Sequence, residues 1–271
     1  KWHTVTLTFD GPWSHEQADP NPFTDYEFFV TFRHEGREVR VPGFFAADGN
    51  AGETSAASGN KWRVNFTPDA EGKWSWEATF AKGDNAALGG TSATPIAFDG
   101  ATGSFEVDGT DKKHPDFRAR GLLEYVGERY WRFAETGEWF LKGGADSPEN
   151  FLAYTEFDGT YDSEALQREG EARGGLFLHE YKPHQKDWQP GDPTWHHTKG
   201  KGIIGALNYL AAQNMNSVYF LTMNIAGDGK DVWPYTADWQ RFHFDCSKLD
   251  QWEIVFDHMD RLGLMLHVIT Q

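Results

Sequence analysis

The sequence predicts a multidomain protein of the all-β plus α/β class, in which an antiparallel β-sandwich is followed by parallel β/α units. Two observations predict this class. Apolar and polar residues alternate with a period of two in several segments before residue 110, which is typical of half-buried strands. After residue 120, apolar strands alternate with helical patterns, which is typical of a parallel sheet. We therefore place one domain at residues 1–110 and a second at residues 120–271.

The first domain consists of short strands separated by turn sequences. About seven strands in roughly 110 residues indicate an antiparallel β-sandwich. Residues 68–72 have turn chemistry, so we expect the strands on either side of them to pair as a hairpin. The predicted strands are residues 2–9, 28–32, 38–41, 62–66, 73–80 and 103–107.

The second domain begins with strand-like sequence. Residues 120–133 predict a short hairpin, and residues 139–142 predict a buried strand that ends in a loop of small residues. Ser147 is followed by Pro148, which suits the first position of a helix. We therefore expect a helix that begins there and continues to residue 154.

Two further strand–helix repeats follow. Residues 202–213 carry apolar side chains on one helical face and lead into an apolar strand at residues 217–223. A helix at residues 247–262 has a similar apolar side, and Gly263 is placed to end it. Residues 264–269 form the next predicted strand, so the order is that of successive parallel β/α units.

The number of predicted strands is small for a closed barrel. A (β/α)8 barrel needs about 250 residues, which is more than follow the sandwich. We therefore expect the chain to hold the first β/α units of a larger TIM barrel; the alternative is a small open sheet of three strands. Because such a sheet leaves a parallel edge uncovered, we expect the second domain to be unstable by itself unless self-association covers that edge.

Charge and composition exclude several classes of protein. The 25 Lys and Arg against 41 Asp and Glu give a net charge of −16, which argues against nucleic-acid binding and against docking on anionic membranes. A single cysteine, Cys246, excludes an intramolecular disulfide. The 12 Trp among 15% aromatic residues are typical of carbohydrate-active proteins, although burial in a core is the more common place for any one of them.

Seven segments carry long motifs: residues 9–12, 21–26, 41–50, 59–62, 140–150, 201–210 and 247–252. Through the first four of these segments, residues 2–110 resemble the immunoglobulin-like N-terminal domain of a group of bacterial glycoside hydrolases. Residues 120–271 are similar to the first part of the TIM-barrel domain that follows it there. Relatives in this group often carry a C-terminal domain described as collagen-binding.

The resemblance implies a secreted or periplasmic enzyme that hydrolyses a polysaccharide or oligosaccharide. It implies a retaining mechanism with two carboxylates about 5–5.5 Å apart, at the ends of the fourth and seventh barrel strands. Those strands would lie beyond residue 271, so no catalytic residue is assigned within the chain. The alternative from another class is a non-catalytic module that binds carbohydrate or protein.

Candidate substrate-binding residues follow from the position of barrel active sites at the carboxyl ends of strands. For Asp146 and Glu149, which follow the first strand, helix capping is as good an interpretation as substrate binding. For His267, a hydrogen-bonded position in the core is the favoured interpretation. The long insertion at residues 157–199 adds two tryptophans as possible sugar-stacking platforms. The candidates are Asp146, Glu149, Asn224, His267, Gln271, Trp188 and Trp195.

We expect neither a metal nor another cofactor. His179, His184, His196 and His197 lie close together in the insertion, but their spacing does not match a helical metal-binding pair. The acidic loops at residues 48–50 and 227–229 lack the spacing of a calcium-binding loop, so turn chemistry is the better interpretation of both.

Overall fold

The computed structural model describes residues 1–90, 92–161, 178–225 and 230–270. The chain divides into two compact units. Unit 1 comprises Lys1–Asp111 with Phe242–Cys246, and unit 2 comprises Lys112–Arg241 with Ser247–Gln271. No helix among the described residues is long and apolar enough to cross a membrane.

Unit 1 contains two antiparallel sheets, which are consistent with the predicted β-sandwich. The strand order is β1-β5-β4 in one sheet and β3-β2-β6-β7 in the other, where β8 also pairs with β6. Each predicted strand of this unit coincides with an observed one, although the first begins at Val5 rather than at residue 2. The elements are β1 (Val5–His15), β2 (Tyr26–His34), β3 (Arg37–Pro42), β4 (Phe44–Phe45), the one-turn helix α1 (Ala51–Thr54), β5 (Ser58–Phe66), β6 (Gly72–Lys82), β7 (Thr94–Pro95) and β8 (Thr102–Val107).

Aromatic side chains fill the core between these sheets. In β2, the period of two buries Phe28, Val30 and Phe32 on one face. Phe32 stacks on Phe66 of the other sheet, with ring centroids 4.1 Å apart. Each fully buried aromatic ring of this kind contributes about 2–3 kcal/mol by removing apolar surface from water.

The hairpin predicted across residues 68–72 is wrong. Strand β5 pairs with β1 and β4, whereas β6 pairs with β2, β7 and β8, so the two strands belong to different sheets. Both strands carry large apolar side chains on one face, and these side chains meet across the core. The ring centroids of Phe66 and Trp74 lie 5.0 Å apart. The turn sequence therefore carries the chain from one sheet to the other.

Residues 48–50 form a turn, as predicted. The carboxylate of Asp48 accepts hydrogen bonds from the backbone N–H of Asn50 at 2.8 Å and from the hydroxyl of Thr54 at 2.7 Å. The side chain thus supports the beginning and end of α1, which is local turn chemistry.

Unit 2 begins with a small antiparallel sheet of three strands, in the order β11-β10-β9. Phe133 and Phe140 are buried in it, and both lie against Phe117. The strand predicted at 139–142 covers only Trp139–Phe140 and is antiparallel. The first parallel strand begins at Gly144. The strands are β9 (Leu123–Glu124), β10 (Trp131–Phe133), β11 (Trp139–Phe140) and the parallel β12 (Gly144–Ala145).

The strand–helix repeats are confirmed. They form α2 (Lys201–Ala212), β13 (Ser217–Leu221), α3 (Cys246–Leu262) and β14 (Met265–Ile269). Gly263, with φ +71°, ends α3 in the left-handed conformation. The parallel sheet has the order β12-β13-β14, and a closed barrel is not formed by the described residues.

The helix predicted from Ser147 to residue 154 is wrong, because this segment forms turns. Its four consecutive residues Phe151–Tyr154 are all buried, which one face of a surface helix cannot achieve. Their backbone instead pairs with a distant segment: the N–H of His179 donates to the carbonyl of Ala153 at 2.8 Å.

Candidate functional site

The parallel sheet of unit 2 positions the candidate site. Strands β12 and β13 come so close that a Cβ on Gly144 would lie 1.9 Å from the carbonyl oxygen of Ser217. Only glycine permits this approach. At the start of the same strands, the Asn216 side chain accepts from the N–H of Gly143 and donates to the carbonyl of Leu141, at 2.8 and 2.9 Å. These contacts fix the register from which the site is built.

The two faces of this sheet have different surroundings. Val218 and Phe220 of β13 point into the apolar core that α2 and α3 form with the sheet. The period of two therefore places Tyr219 on the opposite face, where its partner in the register of β14 is His267. We call this second face, with Lys142, Asp146, Tyr219 and His267, the open face.

Lys142 connects the polar side chains of the open face. Its ammonium nitrogen lies 2.6 Å from Nδ1 of His267 and 3.9 Å from a carboxylate oxygen of Asp146. An ammonium group can only donate, so Nδ1 of His267 is the acceptor and the neutral ring carries its proton on Nε2. The Tyr219 ring stands edge-on to the imidazole at 5.0 Å and limits its rotation. The open face therefore combines hydrogen-bond donors with an exposed carboxylate acceptor.

Two of the predicted site residues, Glu149 and Asn224, follow the carboxyl ends of β12 and β13 and make structural contacts there. Glu149 is half-buried, and its backbone carbonyl accepts from the N–H of Leu221 at 2.8 Å. Asn224 is buried; its backbone pairs with Val232, and its side chain donates to the carbonyl of Lys230 at 3.2 Å. Gln271 lies outside the described residues.

The two tryptophans of the insertion lie apart from the open face. Trp195 is fully buried, its ring stacks on Phe157 at 5.2 Å, and its indole N–H donates to the carbonyl of Glu156. A buried ring offers no face to a sugar, so the stacking role expected for Trp195 is corrected to a role in the core. Trp188 is half-buried, and the ammonium group of Lys201 lies 4.4 Å from its ring centroid.

Three of the four histidines of the insertion, His179, His184 and His196, have separate side-chain partners. Nε2 of His179 lies 2.8 Å from the Asn150 amide oxygen, and Nδ1 of His184 lies 3.0 Å from Asp187. Burial lowers the pKa of His179 to about 4, so its ring is neutral. His196 pairs with Asp158 at 3.1 Å. Among the described residues, no group of three or more His, Cys, Asp or Glu side chains is arranged to hold a metal ion.

Sequence reasoning missed Lys142 and the buried Lys248. The ammonium group of Lys248 donates to the backbone carbonyls of Gly159, Trp233 and Tyr235, which belong to the loops after β12 and β13. Nothing in the local sequence marks Lys248, because its partners are distant in the chain. For Lys142, the available signal was its place between an apolar strand and a small-residue loop.

Two titrating groups lie elsewhere on α3. Burial, together with the nearby carboxylate of Asp257, raises the pKa of Asp260 to about 6. Burial lowers the pKa of His258, whose Nε2 lies 2.8 Å from the amide oxygen of Asn208. Arg118 is the cation that opposes the shift at Asp260, whereas the charged groups that act on His258 are Asp192 and Arg261.

Comparison with known proteins gives two similarities. Residues 1–81 match the family model of a domain of unknown function, DUF5060. A solved structure of a "putative glycoside hydrolase" from Bacteroides vulgatus has a similar fold, with a TM-score of 0.58 and 16% sequence identity. The similarity covers 99% of this chain and 40% of that protein. No curated protein sequence matches the chain.

Proposed function

We propose that the protein is a glycoside hydrolase acting on a polysaccharide or oligosaccharide. The observation that carries the proposal is the run of β12, α2, β13, α3 and β14, in which neighbouring strands are parallel and successive. This is the order in which a (β/α)8 barrel begins. The fold similarity to a larger protein described as a "putative glycoside hydrolase" supports the same interpretation. This chain spans 40% of the length of that protein.

The mechanism we propose is retaining hydrolysis by two carboxylates about 5–5.5 Å apart. In a barrel of this kind these residues end later strands, so we place them outside residues 1–271. The part of the chain described above would then contribute substrate contacts through its open face. Lys142, Asp146 and His267 supply charged and neutral groups that can hydrogen-bond to sugar hydroxyls.

Unit 1 has no sugar-binding role in this proposal. Of its five tryptophans, Trp2, Trp62 and Trp74 are buried, Trp76 is half-buried and Trp13 is exposed. A sugar-binding sandwich needs exposed aromatic rings, so the burial argues against sugar binding by unit 1. We further propose that the protein is secreted or periplasmic, where a polysaccharide substrate would be encountered.

A second candidate function is non-catalytic binding of carbohydrate or protein. It is favoured by the small antiparallel sheet of unit 2, where Tyr125, Trp131 and Trp139 are 69%, 50% and 50% exposed. Exposed aromatic side chains of this kind are common at binding surfaces. This candidate predicts saccharide or protein binding without release of reducing ends.

A hydrolysis screen separates the two functions. The purified protein would be incubated with a panel of neutral and acidic polysaccharides, and new reducing ends would be measured. For any substrate that is cleaved, proton NMR would record the configuration of the first product. Retention supports the two-carboxylate mechanism, inversion contradicts it, and tight binding without cleavage supports the binding module.

A further inference from the structure

We propose that the turn at residues 237–240 carries a sugar-binding subsite. The Trp239 ring stacks on the apolar face of one pyranose ring. The Asp238 carboxylate and the Arg241 guanidinium group form hydrogen bonds with hydroxyl groups of that ring or of its neighbour in the saccharide chain. The inference rests on the proposed function and adds a substrate class to it: neutral chains of β-1,4-linked pyranose rings.

The turn lies in the loop between β13 and α3. In successive parallel β/α units, the loops that follow the strands lie at the carboxyl edge of the sheet, where barrel enzymes bind their substrates. The loop after β12 meets the turn here, because the Tyr161 hydroxyl donates to the Asp238 carboxylate at 2.8 Å and accepts from the N–H of Asp238 at 3.3 Å. Further barrel strands would add at the sides of the sheet and leave this edge open.

Several hydrogen bonds hold the turn in place. The N–H of Gln240 donates to the carbonyl of Ala237 at 3.1 Å. Nη1 of Arg241 donates to the carbonyl of Gln240 at 3.1 Å and to that of Asp238. The guanidinium carbon also lies 5.4 Å from the centroid of the Tyr235 ring. A site that is fixed before its ligand arrives loses less conformational entropy on binding.

Trp239 is the most exposed of the large apolar side chains among the described residues, at 74%. Within that part of the chain, its ring contacts no other aromatic ring and its indole N–H has no hydrogen-bond partner. Indole combines a broad apolar face with one N–H donor. This combination suits a sugar, which presents apolar C–H faces and a rim of hydroxyl groups.

Two charged residues flank this ring in the sequence. One carboxylate oxygen of Asp238 accepts from Tyr161, and the other has no hydrogen-bond partner among the described residues. Arg241 uses Nη1, whereas its Nη2 and Nε donors have no partner there. Sugar hydroxyls both accept and donate, so they match a free acceptor beside free donors. Because the two charges compensate each other, the turn offers no net charge to a uronic-acid or sulfated ring.

The shape of the ligand follows from stacking on a single exposed ring. Stacking requires a flat apolar face, which a pyranose ring with equatorial hydroxyls offers because its axial C–H groups point to the two faces. In β-1,4-linked chains of glucose or xylose, successive rings form an extended ribbon that can lie across an exposed turn. An α-1,4-linked glucose chain coils and offers such a surface less well. We therefore expect β-linked chains to bind in preference.

Calorimetry tests the subsite. The probes are cellohexaose, xylohexaose, maltohexaose and tetragalacturonate, titrated into the purified protein; for a probe that is cleaved, its KM is compared instead. Trp239→Ala should weaken binding of the β-linked probes about tenfold, and Trp239→Phe, which keeps a smaller aromatic ring, should retain part of the affinity. Trp13→Ala is the matched control, because Trp13 is 68% exposed and lies in unit 1, and it should leave affinity unchanged.

Fluorescence addresses Trp239 directly. Cellohexaose should shift the tryptophan emission of the unaltered protein to shorter wavelength and reduce its quenching by acrylamide, because stacking removes the exposed ring from water. Trp239→Phe should abolish this change. Asp238→Asn keeps an acceptor for Tyr161 but removes the charge, and it should weaken binding about threefold to tenfold. Circular dichroism of each variant establishes that a weakened affinity does not reflect unfolding.

The outcomes separate this inference from the proposed function. Unchanged affinity in Trp239→Ala, an equal loss in Trp13→Ala, tighter binding of maltohexaose or tetragalacturonate than of both β-linked probes, or absence of binding to every probe each overturns the inference. Hydrolysis in the polysaccharide screen upholds the enzyme whatever these titrations give. Conversely, Trp239-dependent binding without hydrolysis upholds the subsite and contradicts the enzyme.

Discussion

The ammonium group of Lys248 lies 3.3 Å from the carbonyl oxygen of Trp233, although the lysine side chain is only 1% exposed. The same group donates to the carbonyls of Gly159 at 3.1 Å and Tyr235 at 3.2 Å. A buried ammonium is tolerated when all its donors are used, as they are here. Lys248 therefore joins the loops that follow two neighbouring parallel strands.

Replacing this lysine should destabilise unit 2. Lys248→Met keeps much of the side-chain volume but leaves three carbonyls without their donor, which should lower the free energy of unfolding by about 3 kcal/mol. Chemical denaturation measures the change. Lys182→Met, at an exposed lysine, is the control and should alter stability by less than about 0.5 kcal/mol. Equal stabilities of the two variants would show that the buried contacts contribute nothing.

The close approach of β12 and β13 gives a prediction with a neighbouring control. Gly144→Ala places a methyl group 1.9 Å from the Ser217 carbonyl, which is backbone and cannot turn aside. We expect a loss of at least about 2 kcal/mol in thermal or urea unfolding. Gly143→Ala meets no atom within 4 Å and should be tolerated. If both variants were equally stable, the close packing of these two strands would be contradicted.

Asp260 should make stability depend on pH. Its folded-state pKa is raised to about 6 from an ordinary value of 3.8, so the folded protein holds a proton that the unfolded chain releases. The contribution to stability is present at acidic pH and is lost as pH rises through 6. Asp260→Asn should therefore stabilise the protein by about 2 kcal/mol at pH 7.5 and much less at pH 4.5.

Urea unfolding of Asp260→Asn at these two pH values checks this expectation. Glu128→Gln is the matched control, because Glu128 is exposed on a turn and its neutralisation should leave the pH dependence unchanged. A gain in stability that is the same at both pH values would mean that the ionisation of Asp260 is not responsible.

His258 should act with the opposite sign. Burial lowers its pKa from 6.5, and its Nδ1 is buried without a hydrogen-bond partner, so a second proton there would be unpaired. The folded protein therefore holds the ring neutral, and its stability falls as pH drops below about 6.5. His258→Gln retains a donor for Asn208 but cannot titrate, so its unfolding should depend less steeply on pH between 7.5 and 5.5.

An exposed histidine provides the comparison for this measurement. His114→Gln should leave the slope of stability against pH unchanged, because His114 is solvent-exposed. Identical slopes for His258→Gln and the unaltered protein would contradict the assignment of the acid sensitivity to His258.

Local sequence patterns predicted most elements of both units. The alternation in β2 and the one-sided apolar face of α3 are properties of consecutive residues, and the structure places the corresponding side chains in two cores. Gly263 was predicted to end α3 because a left-handed residue is needed there, and its φ of +71° agrees. These features depend on backbone preferences within one or two turns of chain.

The errors arose where distant residues decide the outcome. The turn chemistry of residues 68–72 predicts a hairpin, yet β5 and β6 belong to different sheets and their apolar faces meet across the core. Residues 151–154 were read as helical, yet all four side chains are buried and their backbone pairs with residues near 179. In both cases non-local packing outweighed a local signal.

The sequence by itself determined the division into an all-β part and a parallel β/α part, and the positions of most strands and helices. It also named Asp146 and His267 as candidate site residues. Only the tertiary structure decided that Lys142 lies against His267, 125 residues away, and that Trp195 is part of a core. The physical reason is that periodicity records which face of an element is buried. It does not record which distant element covers that face, because this depends on how all the apolar faces are buried together.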